Sequence, residues 1–480
     1  MQDEKQETLR KKERRSLWVR CFVSALVTVV VCVGLLFLTA LIPQKAIQKN
    51  CEKSAEFYVT HALFEAKQGY ESDHMTDNYA DCILQNIIYQ IDTQHPVHSS
   101  LQASYYQPEE ENVDTAFYQA VFEGRISNVN YYRYWHGSMV ILRPLFVLTD
   151  IQGVRMILGA CVALMGILII GLLCREKQVG LAVVYTIAML VIDIQMLFRC
   201  IEYVMPFLVM QAVLIYVCVT CHNRCRKFPE DAEAVIGSYH PMFLAAGIVT
   251  SFVDFLTTET ITFTVPMLFL LALCKPTRIS DNRVISREDL KSKHKKWSGL
   301  MTVVKAGCFW LIGYAGMFLA KWVICALCFG REALMESLQQ AAVRVGGQVG
   351  ASNNTNLSEA ANGMERLYGA VWHNLASLFS VRGTLVSGKA MVFAFGSLAV
   401  LAAFIYLFHI KKINWNRYVP WFLLALLPYI RYLALSNHAY LHFFFTYRAQ
   451  LITVMVVLLF TWENVKDGLA GLVHRKRPKR

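Results

Sequence analysis

Two aspartates four residues apart are the first side chains here that could do chemistry. In Met75-Thr76-Asp77-Asn78-Tyr79-Ala80-Asp81-Cys82, a helix opened or capped by Asp77 carries Asp81 one turn later on the same face. Carboxylates that close repel, so one can hold its proton near neutral pH and act as a base. A divalent cation, Mg or Mn, bridging Asp77 and Asp81 is the other use of the spacing. The plain alternative is an N-cap beside a solvated acid. A second cluster is Tyr131-Tyr132-Arg133-Tyr134-Trp135-His136-Gly137, followed by Arg143. Arg133, His136 and Arg143 can each carry positive charge and together suit a phosphate. Trp135 and the tyrosines stack on a sugar, cover a lipid chain, or form an aromatic belt at a membrane boundary.

Two further clusters contain ionisable groups in apolar surroundings. Asp254 and Glu259 sit in an apolar hairpin over 251–260, where an acid is costly unless it has a function or is solvated at a turn tip. Segment 431–448 carries Arg431, Asn437, His438, His442 and Arg448. Arg431 lies in the outer half of an apolar stretch and needs an acidic partner, for which Asp77, Asp81, Asp254 and Glu259 are the candidates.

The elements that must position these groups are membrane helices. Apolar residues make up 55% of the 480 and charged residues 17%, too little polarity to cover soluble domains. That composition also excludes a disordered chain, a collagen and a small disulfide scaffold. Segment 17–42 is apolar, follows a basic stretch at 10–15, and is longer than a signal-peptide core, so it is read as an uncleaved first helix. Further spans are predicted near 154–174, 178–197, 203–221, 241–257, 259–275, 300–328, 389–409, 417–435 and 448–465. The expected fold is an all-α polytopic membrane protein of about ten transmembrane helices with a large, mainly helical extracytoplasmic first loop. The pair at 241–275 is either two tilted spans or a re-entrant hairpin. Within the first loop, 46–68 has helical apolar spacing and is expected either to lie along the membrane surface or to pack as an ordinary helix.

Loop charges orient the chain. With residues 1–16 in the cytoplasm, so are the basic stretches around Arg175, Arg224, 275–299 and Lys411, and the tail 466–480. The alternate segments fall outside: 43–153, with seven Lys/Arg against fourteen Asp/Glu, and 329–388, with four of each. Residues 17–480 are read as one transmembrane domain in a bacterial plasma membrane, with both termini cytoplasmic. The net charge of +12 then anchors topology and meets anionic lipid headgroups, not nucleic acid. The fourteen cysteines lie mostly in or beside apolar helices, and whether Cys51 and Cys82 pair is left open. No zinc-finger CxxC…CxxC pattern, Walker loop, GxGxxG after a strand or GxSxG occurs.

All four polar clusters therefore map to one membrane face. A transporter would instead concentrate charge near the bilayer midplane. Asp77-Asn78-Tyr79-Ala80-Asp81, Arg133-Tyr134-Trp135-His136-Gly137 and Asn437-His438 with Thr446-Tyr447-Arg448, on a first helix, an acidic outer loop and many later helices, resemble the GT-C class of integral-membrane glycosyltransferases. The acids here are four apart, not a plain DD, DE or ED dipeptide. The resemblance implies a sugar taken from a polyprenyl-phosphate carrier at the outer face. It passes to a glycan, lipid or protein acceptor, usually with inversion. It further implies Asp77 or Asp81 as the base, Arg133, His136, Arg143 and Arg448 around the leaving phosphate, Asp254 or Glu259 orienting the sugar, and 329–388 over the acceptor. A metal is optional. A flippase of lipid-linked glycan, depending on Asp193 or Arg431, and a non-enzymatic envelope scaffold are the alternatives.

Overall fold

A computed structural model describes residues 2–67, 74–228, 231–274, 299–346, 363–379, 396–397, 400–401, 413 and 415–475. The described residues are almost entirely helical, with two isolated bridges and no strand among them. Helix α1 (Gln2–Ala40) leaves Phe22, Leu26, Val30 and Leu38 exposed along its apolar run, as a lipid-facing helix does.

Five helices then fold over one end of the bundle: α2 (Gln44–Thr60), α3 (Asn78–Tyr89), α4 (Pro96–Gln102), α5 (Val113–Phe122) and α6 (Met139–Leu148). Helix α2 ends at Thr60, short of the predicted 68, because His61 turns extended and 62–66 runs on to a bridge between Ala66 and Met75. Its apolar face, Ile47, Cys51, Ala55 and Tyr58, is buried, with Tyr58 edge-on to Phe117 of α5; it packs on protein. Cys51 and Cys82 are not bonded to one another: Cys51 Sγ meets Gln85 and Cys82 Sγ meets the Val113 carbonyl.

The bundle follows. Helix α7 (Ile151–Arg175) starts where Asp150 caps the Gly153 N–H at 3.1 Å. Helix α8 (Val179–Val191) breaks at Asp193, whose φ of 60° puts it in the left-handed region before a 3₁₀ turn over Ile194–Phe198. Helices α9 (Ile201–Lys227), α10 (Ala232–Gly237), α11 (His240–Val253), α12 (Ile261–Leu273) and α13 (Gly299–Phe329) come next. In lipid there is no hydrophobic drive between helices, so close approach and polar ties hold them together. Gly247 of α11 and Gly313 of α13 supply the approach: a Cβ on either would overlap the carbonyl oxygen of Trp310 or Leu244 on the facing helix. Trp310 Nε1 donates to Thr262 Oγ1 at 3.0 Å, and Thr250 Oγ1 donates to the same hydroxyl at 2.9 Å.

The chain continues through α14 (Arg331–Val345), α15 (Gly363–Phe379), α16 (Trp415–Ala434), α17 (Ser436–Leu441), α18 (Phe443–Thr446), a 3₁₀ turn and α19 (Leu451–Arg475). Among the described residues, six helices are long and apolar enough to cross a membrane: Ser16–Ala40, Ile151–Arg175, Ile201–Lys227, Ala232–Val253, Gly299–Phe329 and Phe443–Val465. The predicted ten is not reached among the described residues. Helices α8 and α12 have 13 residues each, about 20 Å of rise against a ~30 Å hydrocarbon layer. Helix α16 carries Arg417, Arg431, Pro420 and Pro428 within its 20 residues. The predicted span 389–409, most of 275–299 and the end of the basic tail lie largely outside the described residues.

Candidate active site

The site is built on the turn that opens α3. Asp77 accepts the Ala80 N–H at 2.8 Å, the N-cap its position in the sequence predicts. One turn on, Asp81 is fully buried and saturated. Arg155 of α7 donates to Oδ2 through Nε at 3.0 Å and Nη2 at 2.7 Å, and the Ile201 and Glu202 N–H groups donate at 2.9–3.2 Å. The carboxylate thus caps the positive end of α9 and neutralises Arg155. Asp81 is a structural anchor, with no lone pair left for a substrate proton. A Mg or Mn ion bridging it to Asp77 would compete with these donors for the Asp81 oxygens.

Asp77 faces a cavity of about 230 Å³. Arg133, Tyr134 and His136 enter its wall from the turn before α6, Glu202 from the first turn of α9, Arg344 from the end of α14, and His438 and His442 from α17 and the residue after it. Burial pushes the Asp77 carboxyl up to about 7; the Ala80 N–H opposes this and the Asp81 charge adds to it. The histidines move the other way. Burial, with Lys321 and Arg133 nearby, holds His136 well below the usual imidazole range. Burial, then Arg344 and Arg431, pushes His442 down to about 3. His438 is likewise held low by burial, with His442 and Arg431 adding. All three are neutral at physiological pH. His136 therefore supplies no positive charge, contrary to its predicted role at a phosphate. It sits in the left-handed region, φ 54°, and its Nδ1 donates to the Tyr134 carbonyl at 3.1 Å, so Nε2 is an acceptor with no protein partner. His438 Nε2 donates to the Leu256 carbonyl at 2.9 Å.

The positive charges in the cavity wall are Arg133 and Arg344. Arg133 pairs with Glu336 at 2.8 Å and lies 3.9 Å over the Tyr131 ring, while Arg344 lies 5.6 Å from the Tyr134 ring. The Nε atoms of both are buried without a partner. Arg133, Tyr134 and Arg344 also line a second space, an apolar groove of about 400 Å³ walled by Leu311, Phe318 and Trp322 of α13 and Ala341 and Val345 of α14. Polar cavity and apolar groove meet at these three side chains.

The remaining candidates stand apart from the cavity wall. Trp135 Nε1 donates to the Met317 carbonyl at 2.7 Å and is buried against α13. Arg143 is a clip: its Nε donates to the Ile42 carbonyl at 3.2 Å and its Nη1 to the Ile88 carbonyl, tying the end of α1 to α3. Asp254 accepts from the backbone and hydroxyl of Thr257, and burial together with the Glu259 charge raises it to about 7. Arg431 finds its acid in Glu259, at 2.8 Å, and also donates to the Leu256 carbonyl. Asn437 Nδ2 donates to the Val343 carbonyl at 2.9 Å. Arg448 stacks 4.5 Å from the Tyr203 ring and donates to the Phe444 carbonyl at 3.1 Å. Asp193 is paired with Lys67 and His74 at 2.9–3.0 Å; burial would raise it, but hydrogen bonds from His74, Lys67 and Gln195 together hold it below the ordinary carboxylate range.

Sequence reasoning passed over Arg155, Glu202 and Arg344. The first two had a signal, a lone charge at the edge of an apolar run. Arg344 had none, since its helix is amphipathic and solvated in appearance. No family model, no curated protein and no solved structure matches this chain.

Proposed function

We propose that the chain is an integral-membrane glycosyltransferase that takes a sugar from a polyprenyl-phosphate carrier and passes it to a glycan, lipid or protein acceptor at the outer face of the plasma membrane. The observation that carries this reading is the junction of cavity and groove at Arg133, Tyr134 and Arg344. A lipid-linked sugar is polar at one end, apolar along its length, and anionic where the two meet. The junction matches that order: guanidiniums for the phosphate, tyrosines and neutral histidines for the sugar, and an apolar wall on α13 for the prenyl chain.

The residues divide the reaction as follows. Asp77, ionised, accepts the proton of the acceptor hydroxyl as its oxygen attacks the anomeric carbon. The bond from that carbon to the phosphate oxygen breaks, and the electron pair leaves with the phosphate. Arg133 and Arg344 offset the charge that grows there. A proton affinity near neutrality suits a base that must be ionised before the reaction and protonated after it. Displacement from the opposite face inverts the anomeric centre. No step runs through a metal.

The test is the envelope glycan, read by mass spectrometry in a deletion strain carrying either the wild-type chain or Asp77→Asn. Expected is a missing glycosyl residue, restored by the wild type and not by Asp77→Asn present in the membrane at equal level. Restoration by Asp77→Asn refutes the base. Accumulation of a complete lipid-linked glycan on the cytoplasmic leaflet replaces the reading with a flippase.

A further inference from the structure

The far end of α9 carries a second group of chemically capable side chains. Glu202, in its first turn, faces the polar cavity; Cys225 lies 23 residues on, about 35 Å along the axis at 1.5 Å per residue. Cys221 and Cys225, spaced i and i+4, share one face of α9. Cys274, at the C-terminal end of α12, meets them there. The three Sγ atoms form a nearly equilateral triangle, with separations of 3.8 Å for Cys221–Cys225, 3.7 Å for Cys221–Cys274 and 3.8 Å for Cys225–Cys274. Among the described residues these are the one group of three or more His, Cys, Asp or Glu donors gathered tightly enough to hold a single ion.

We infer that Cys221, Cys225 and Cys274 form a structural or regulatory Zn²⁺ site. The geometry carries the argument. Zinc–thiolate bonds of about 2.3 Å in a tetrahedron place the sulfurs about 3.8 Å apart, the separation found on all three edges. A disulfide would draw two sulfurs to ~2.05 Å and leave the third alone. The fourth position is also provided for. A cavity of about 170 Å³ beside the triangle is lined by Cys218, His222 and Glu176, and His222 Nδ1 lies 3.5 Å from Glu176 Oε2. Water from this cavity can complete a tetrahedron, and His222, exposed beside Cys221 and paired with Glu176, stands at its rim. Room for a fourth ligand beside the triangle suits four-coordinate zinc.

Binding converts three thiols and one Zn²⁺ to a tris-thiolate complex of net charge −1 and releases three protons. Arg224, Arg226 and Lys227, in the last turn of α9, offset that charge. The orientation predicted from loop charges puts this end in the cytoplasm, where thiols stay reduced and available. A zinc bridge here would pin α12 to the end of the helix whose other end bears Glu202.

The experiment is elemental analysis of the full-length protein purified in detergent under reducing conditions. Expected is about one Zn²⁺ per chain, lost in Cys225→Ser and in Cys274→Ser and kept in Cys161→Ser, a cysteine on the exposed side of α7. Because a serine variant can fail to fold, the wild type is also stripped and titrated with Co²⁺. A thiolate-to-cobalt charge-transfer band with the visible bands of a tetrahedral ion is expected. Absence of both zinc and the cobalt spectrum, stoichiometric copper in place of zinc, or a disulfide among these cysteines in freshly purified protein each overturns the inference.

Discussion

Replacing Asp77 by Asn should separate stability from activity in a pH-dependent way. Asn caps a helix about as well as Asp, so the bond to the Ala80 N–H survives and only the ionisable group is lost. The folded carboxyl is raised from its ordinary 3.8 to about 7 by burial. The sign follows from linkage: the folded chain binds the proton more tightly than the unfolded one, so the wild type keeps its full stability below pH 3.8 and loses it as pH rises to about 7. At 1.36 kcal/mol for each tenfold change in proton affinity, the loss approaches about 4 kcal/mol. The difference between variant and wild type should therefore be ~2 kcal/mol at pH 5 and reach a plateau of ~4 kcal/mol above pH 7. Asp77 is 4% exposed, so solvent screening takes little from this, though water in the cavity makes the figure an upper bound. Thermal unfolding in detergent, followed by tryptophan fluorescence between pH 5 and pH 9, reads the difference directly. A gap that does not change with pH, or an Asn variant less stable than the wild type at pH 8, refutes the reasoning. Transfer activity should fall by on the order of 10²–10⁴-fold in the same variant. In the wild type it should rise with pH through about 7, with no second limb from the neutral histidines above pH 5.

Three other outcomes follow from the packing and the charges. Arg155→Met strands the Asp81 carboxylate in the interior and should cost about 3–5 kcal/mol in unfolding, with the double variant Arg155→Met/Asp81→Asn recovering part of it. Gly247→Ala and Gly313→Ala each drive a methyl into a facing backbone carbonyl and should lower the unfolding midpoint, by about 1–3 kcal/mol each, whereas Gly316→Ala, which meets open space, should not. Arg133→Gln and Arg344→Gln should each weaken binding of a long-chain prenyl phosphate by ~10–100-fold in native mass spectrometry, while Glu336→Gln, which frees Arg133, should not weaken it.

The sequence determined by itself that the protein lives in a membrane, because long apolar runs have no other stable environment. It also determined that Asp77 caps a helix, because capping depends on residues within one turn. Arg431 needed an acid, and the short candidate list held the right one, Glu259. What only the tertiary structure decided is which of two like carboxylates is free. Spacing on α3 treats Asp77 and Asp81 alike. Arg155 and the amide end of α9, 74 and 120 residues downstream of Asp81, take up one carboxylate and leave the other facing a cavity. Arg344 beside Arg133, and Cys274 beside Cys221 and Cys225, were invisible for the same reason. Local rules follow from bonds a few residues long, whereas a site is a meeting of side chains whose proximity exists only after the helices have packed.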